Sequence, residues 1–442
     1  MARIIPLGEA AFHQTIDPNG TLFWWNGEPY RAVRRHHVNF TLGLFRSGIV
    51  DDLTGRGLLV ATEVTDLTIK GFPLVLRHKR VPFNARFGEW NAGMFRDAAL
   101  THLDLECALE SLGLMLQDGH TDNVLFDGAQ PVFVDFCSIV PNIAARVWEA
   151  EDEFRRNFLN PLRLFSTGQS ELLRATMRSD RRGVAHSVVN PSAALPPASR
   201  PAQIAAHAKA RTRAVLPEPA FAWLKRQQRQ VQRRVADRDS DAGRVRAGRL
   251  AVLREEIVAL TFPACDPPAA APLPSPPDLH AVLAALLERL RPASVLDLTE
   301  SGQCADYAAQ QGIAAAVFAQ SECERERAYH DARAAGRPLL PVCIPPDDRN
   351  HEPGWLARSH DLGERYHADL VTALNVHPPP EPARQVQLLE GIRRFSRRWV
   401  LLSGEWLDEP LRADFGHIER VDSVLLCAGH SLTGRARPHS VD

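Results

Sequence analysis

No cysteine in this chain stands three residues from another, so the C-x-x-C pair that most zinc sites and dithiol redox centres use is absent. The seven that occur, at 107, 137, 265, 304, 323, 343 and 427, are scattered and odd in number. This argues against a disulfide framework and for reduced thiols in a cytoplasmic protein. No apolar run approaches the ~20 residues of a membrane span. The opening stretch MARIIPLGEAAF lacks the apolar core of a signal peptide. Lysine is scarce, found only at 70, 79, 209 and 225, so arginine carries nearly all the positive charge. With abundant Ala and Pro, that bias fits a GC-rich coding sequence better than a function. A formal net charge of −1 gives no global attraction to nucleic acid or membrane.

What is present is ordinary globular material. A 45% hydrophobic, 24% charged chain of 442 residues is too long for one core and predicts two or three domains. The clearest boundary is PACDPPAAAPLPSPP, where repeated proline makes a semi-rigid extended linker over 263–277. Before it, 166–262 is Arg-rich and reads as a helical connector, with QIAAHAKARTRAV and WLKRQQRQVQRRVADRD the clearest helices. Interleaved acids and the lack of aromatics on the basic face argue against a nucleic-acid arm.

The front of the chain is organised around LQDGHTDNVLFDGAQPVFVDFCSI, from Leu116 to Ile139. Two strand-length apolar runs, Val124–Phe126 and Val132–Val134, flank the DG dipeptide that hairpins favour. Asp118, Asn123 and Asp135 then fall at the hairpin's outer ends. Oxygen-bearing side chains there suit Mg²⁺ and phosphate, with one Asp free to take a proton from a hydroxyl. A plain hairpin with solvated ends is the alternative.

The spacing D-x-x-x-x-N followed by D-F resembles the catalytic loop and metal-binding turn of the protein-kinase and aminoglycoside-phosphotransferase superfamily. The resemblance makes Asp118 the catalytic Asp, and Asn123 and Asp135 the metal ligands. It departs at Leu116, where the family has His, and at Cys137, which replaces the Gly of D-F-G. Upstream, LFWWNGEPYRAV reads as strand, NGEP turn, strand. A helix over 37–53 and strands at Leu58–Val64 and Phe72–Leu76 follow. That is the layout of a kinase small lobe, and it puts Arg31 where the phosphate-binding Lys belongs. Arg keeps the charge but presents a planar fork. No Gly-rich loop precedes the hairpin, and the helix offers no Glu to pair with Arg31.

Between these parts, Trp90, Met94, Ala98, Leu103, Leu105, Leu109 and Leu112 are spaced as on a buried helix. Glu89–Trp90 and Asp97–Leu100, with YRAV, LQDGHTDNVLFDG and PVFVDFCSI, resemble the N-terminal region of a bacterial group identified as class I SAM-dependent methyltransferases, similar to NoeA-type nodulation proteins. In that group a kinase-like front half precedes a methyltransferase-like back half. The resemblance covers residues 20–165 best.

After the linker, strands at Ser294–Leu298, Ala314–Phe318, Leu339–Ile344, Ala368–Leu374 and Arg397–Ser403, with another at Ser423–Cys427, alternate with helices. The pattern predicts a doubly wound parallel sheet with ligands at the strands' carboxyl ends. VLDL opening the sheet and ADLV as fourth strand resemble the class I SAM-dependent methyltransferase domain. The resemblance implies a cofactor loop at Asp297–Gly302 that includes Glu300. It also implies a ribose acid near Gln320 or Glu322, adenine contact at Asp347, and Asn375 and His377 at the methyl-transfer site. Thr299 stands where the family's first Gly would be, and its Cβ crowds a loop that must approach a ligand.

The expected fold is thus an α+β kinase-like N-terminal domain (1–165), a connector (166–262), the linker (263–277) and an α/β Rossmann-like, class I methyltransferase-type domain (278–442). The resemblance implies S-adenosylmethionine as cofactor and a small-molecule, glycan or peptide-derived substrate. Mg with ATP in the front domain is the alternative. If both pockets have lost their chemistry, the expectation becomes a scaffold with a pathway protein partner.

Overall fold

The computed structural model describes residues 3–13, 17–142, 148–179, 182–189, 241–263, 279–299, 302–318, 322–342, 360–374 and 378–429. They form two compact units: a front unit of Met1–Val81, Met94–Leu125 and Pro131–Pro263, and a back unit of Pro82–Gly93, Phe126–Gln130 and Ala264–Asp442.

The front unit begins with a five-stranded antiparallel sheet in the order Ala11–Phe12, Gly20–Trp25, Glu28–Val33, Leu74–His78, Thr62–Val64. Asn26 and Gly27 join the second and third of these with φ of 51° and 78°. Two adjacent left-handed residues make the primed turn whose twist matches the strands. Phe23, Trp25, Tyr30, Ala32 and Val75 bury one face together with Ile5, Leu67 and Ile69. The helix expected over 37–53 is two helices, Val38–Arg46 and Ile49–Gly55, because Gly48 turns left-handed at φ 75° and breaks the ladder. The expected strand at 58–64 pairs only over Thr62–Val64. Leu58 instead receives the Phe133 N–H (3.1 Å), and Val60 donates to the Phe133 carbonyl (2.9 Å).

A long helix follows in the chain, Ala92–Ser111, whose Met94, Ala98, Leu105 and Leu109 are fully buried. Trp90, expected inside it, precedes it: Phe87–Glu89 is a tight turn, and Trp90 belongs to the back unit. The hairpin forms as Val124–Asp127 and Gln130–Phe133, turned by Gly128 at φ 63°. The 166–262 stretch contributes Ser170–Ser179 and Asp241–Ala259, with Leu173, Met177, Leu250, Leu253 and Ile257 buried in the front unit's core. Its arginines form ion pairs there: Arg249 with Glu151 (2.7 Å) and Arg254 with Asp104 (3.0 Å). The two helices quoted from its middle, and the linker beyond Pro263, lie outside the described residues.

The back unit is built on a seven-stranded sheet in the order Leu339–Val342, Ala314–Phe318, Ser294–Asp297, Ala368–Ala373, Ser396–Ser403, Val424–Gly429, Phe415–Val421. The first five are parallel, and Val424–Gly429 runs antiparallel to both of its neighbours. In chain order that is 3-2-1-4-5-7-6. Every residue of Ala368–Ala373 is buried, as in a strand covered by helices on both faces. Phe415–Val421 was not expected as a strand. Its FGHIERV is polar and largely exposed, so its apolar signal is that of an edge and not of a core strand.

Pro82–Gly93 is held in this unit by a buried carboxylate. Glu89 pairs with Arg365 (Nη1–Oε2 2.8 Å), accepts the Tyr366 hydroxyl (2.5 Å) and accepts the Arg86 N–H (2.9 Å). Asn84 donates its N–H to the Arg365 carbonyl (3.2 Å), and Trp90 meets Phe126 edge-on at 5.2 Å.

Candidate functional site

In the front unit, Arg31 lies in the central strand with its guanidinium turned inward, 6% exposed. Its Nη1 pairs with Asp135 Oδ1 at 2.7 Å and Asp17 Oδ2 at 2.9 Å. Its Nε is buried without a hydrogen-bond partner. Burial opposes the charge, but the Asp135 and Asp17 carboxylates outweigh it and hold Arg31 well above its ordinary range. Asp17 Oδ1 accepts the Asn19 N–H (2.7 Å), and Asn19 Nδ2 donates to the Cys137 carbonyl (3.0 Å). Gly20 is required by close approach: a Cβ there would stand 2.9 Å from Cys137 Sγ. Burial pushes the Cys137 thiol up to about 12, so it stays neutral.

Asp118 is fixed from behind, where the N–H groups of Gln117 and Asp118 both donate to Ser138 Oγ at 3.2 Å. Burial, then Asp135 and Glu153, raise its carboxyl to about 6. Glu153 accepts the Gly119 N–H at 2.7 Å and pairs with His120 Nε2 at 2.9 Å. Bonding to Glu153 raises His120 despite its burial, whereas Glu153 is lowered because His120 and the Gly119 N–H outweigh burial. Ligand atoms of Asp118, His120 and Glu153 lie within 4.8 Å of one another. Asn123 closes the group. Its carbonyl accepts the Val134 N–H (2.9 Å), setting it beside the residue preceding Asp135, and its Nδ2 is buried without a partner.

The structure therefore brings Arg31, Asp118 and Asp135 into one electrostatically coupled cluster, with Asn123 at its edge. It adds three residues that the sequence reading missed. His120 was visible in principle, two positions after Asp118 in the same loop. Asp17 and Glu153 were not, because a lone acid carries no spacing signal.

Asp118 supports a direct test. Its folded-state value lies above the unfolded ~3.9, so ionising it costs stability, a cost absent below pH ~4 and complete above about 6. Asp118→Asn is expected to stabilise the front unit at pH 8 by on the order of 1–3 kcal/mol, the gain shrinking towards pH 4. A gain independent of pH, read from denaturation midpoints, would contradict this assignment.

In the back unit, Asp297 ends the first strand and is fully buried. Its Oδ1 accepts Thr299 N–H (2.9 Å) and Thr372 Oγ1–H (2.8 Å), and its Oδ2 accepts Cys304 N–H (3.0 Å) and Ala305 N–H (3.1 Å). Burial pushes this carboxyl up against the pull of those bonds. It is spent on shaping the loop and the start of the helix Gln303–Gln310. Gly302 is left-handed at φ 63°, with Val317 Cγ2 3.0 Å from where a Cβ would be. Thr299 is buried, and its Oγ1 accepts the Leu374 N–H (3.2 Å), tying the loop to the end of the fourth strand. Glu322 opens the helix after the second strand. Glu300, Gln320, Asp347, Asn375 and His377 lie outside the described residues.

No family model matches the chain. Over 78 residues, 18% of this chain, it is 38% identical to the nodulation protein NoeA of Rhizobium meliloti (strain 1021), and the match spans 16% of that protein's length. Similar solved structures include an O-methyltransferase family protein from Burkholderia thailandensis, 11% identical over 36% of this chain and 56% of that one, TM-score 0.27. Another is the 1,6-didemethyltoxoflavin-N1-methyltransferase of the same organism, solved with S-adenosylhomocysteine, 18% identical over 37% of this chain and 92% of that one, TM-score 0.24. Among the described residues no helix is long and apolar enough to cross a membrane.

Proposed function

We propose that the chain is a SAM-dependent methyltransferase-type protein acting on a small molecule, with the cofactor site in the back unit. The observation that carries this reading is the 3-2-1-4-5 core of the sheet. Its order reverses between the first and fourth strands, where doubly wound folds bind nucleoside cofactors, and the buried Asp297 there holds a loop with a left-handed Gly302. The described residues fit such a cofactor: Asp297, at the carboxyl end of the first strand, gathers the N–H groups of Thr299, Cys304 and Ala305 on either side of the loop. When bound, the cofactor supplies an electrophilic methyl group. Asp297 would hold the loop and Glu322 would take the ribose hydroxyls. Glu300, Asp347, Asn375 and His377 belong to the same ring of loops by sequence position. Orientation of the acceptor would supply most of the rate, aided by a base such as His377 for a hydroxyl acceptor.

Saturating S-adenosylmethionine is expected to raise the melting temperature by several degrees, since ligand at 100 times Kd stabilises by about 2.7 kcal/mol. An unmoved melting curve at millimolar cofactor would overturn the reading.

A second reading, an ATP and Mg site in the front unit, is favoured by Arg31 in the central strand of an antiparallel sheet with the Asp135 carboxylate paired to it. Arg31 would bind phosphate, and Asn123 with Asp135 offers the oxygen ligands that Mg prefers. Asp118, raised to about 6, suits proton acceptance from a hydroxyl near neutral pH. Calorimetric titration with ATP and Mg tests it: binding heat in the wild type, abolished in Asp135→Ala, is expected, and silence in the wild type removes it.

A further inference from the structure

We propose that Asp17 is an internal anion standing in the phosphate position on Arg31, so that the front site takes a phosphate-bearing ligand only as Asp17 gives up that cation. The proposal rests on the second reading above, in that Arg31 is the anion-binding group of the front unit.

Three observations lead to it. The first is how the guanidinium is used. Both carboxylates converge on Nη1, at 2.7 and 2.9 Å, while the buried Nε has no partner. A guanidinium satisfied for good presents two nitrogens to one anion as a fork, and one crowded nitrogen beside an unpartnered one falls short of that fork. The second is charge. Arg31 faces Asp17 and Asp135 at contact distance, with Asp118 coupled to both, so a phosphate could not join without repulsion unless one carboxylate withdrew. The third identifies which one withdraws. Asp135 is set by the hairpin and the turn Phe136–Ser138 that follows it. Asp17 hangs ahead of Asn19 and Gly20, the residues that press against Cys137, and apart from Arg31 its carboxylate is held by the backbone N–H groups of Asn19 and Gly20, two residues of its own turn.

The test uses the full-length protein with inorganic triphosphate and, separately, ATP, each with Mg, by calorimetry. Asp17→Asn keeps the shape and removes the charge. It is expected to bind triphosphate at least tenfold more tightly than the wild type, and Asp17→Asn combined with Arg31→Gln is expected to lose that gain. Asp17→Asn binding both probes no more tightly than the wild type, silence included, overturns the proposal. A gain for triphosphate with no further preference for ATP keeps the proposal and removes the nucleotide reading. ATP binding that is indifferent to Asp17 does the reverse. Should the variant fail to fold, the wild type decides. Saturating triphosphate is expected to speed hydrogen exchange at the Asn19 amide, which Asp17 now holds, and unchanged or slower exchange overturns the proposal.

Discussion

Asp297→Ala is expected to unfold the back unit under conditions where the wild type is folded, at a cost on the order of 4–5 kcal/mol. Four donors converge on this carboxylate, three of them backbone N–H groups with no water to turn to. Asp297→Asn should be nearly as damaging. Its carbonyl oxygen can still serve Thr299 and Thr372, but its amide nitrogen then points a donor at the donors of Cys304 and Ala305. Thr372→Val removes only one bond and should cost about 1 kcal/mol. Chemical denaturation of the three variants distinguishes this from a carboxylate needed only for the cofactor. An Asn variant of wild-type stability would show that the carboxylate is not organising the loop.

The second large effect is at Glu89. Glu89→Ala should cost about 3–5 kcal/mol, because it removes the buried partner of the Tyr366 phenol and leaves Arg365 to the exposed Asp361 carboxylate and the Asn84 carbonyl. Arg365 is nearly buried, Tyr366 is fully so, and both direct their polar atoms at this carboxylate. A buried charge left alone costs more than a buried pair removed whole, so Glu89→Leu combined with Arg365→Met should be more stable than Glu89→Ala. Denaturation midpoints that fall additively across this cycle would contradict the coupling.

Much of the back sheet was legible in the sequence because its strands are continuous apolar runs at βα spacing. Ala314–Phe318 and the starts of Ser294–Asp297, Leu339–Val342 and Ala368–Ala373 sit where periodicity put them. Phe415–Val421 escaped because a polar edge strand is defined by its neighbour and not by its own pattern. The front site was half legible. Asp118, Asn123 and Asp135 stand at informative spacings along one loop and hairpin. Asp17 meets Arg31 only through tertiary folding, and a separation of 14 positions leaves no periodic trace. Trp90 reads as part of the following helix because an apolar residue one turn ahead of a helix has the same spacing as one inside it. Arg365 and Tyr366, far along the chain, show that the segment serves another core.

The back unit's use of Pro82–Gly93 and Phe126–Gln130 sets a schedule for the growing chain. Both pieces leave the ribosome well before Ser294–Asp297, the first strand of the sheet they complete, is synthesised. During synthesis Glu89 and Trp90 must wait, exposed, for partners not yet translated, and contacts of such long sequence separation close late. A chain released at the proline-rich stretch would therefore carry an orphaned piece of the other half's interior, and a gene fragment starting there would encode a core with its plug missing.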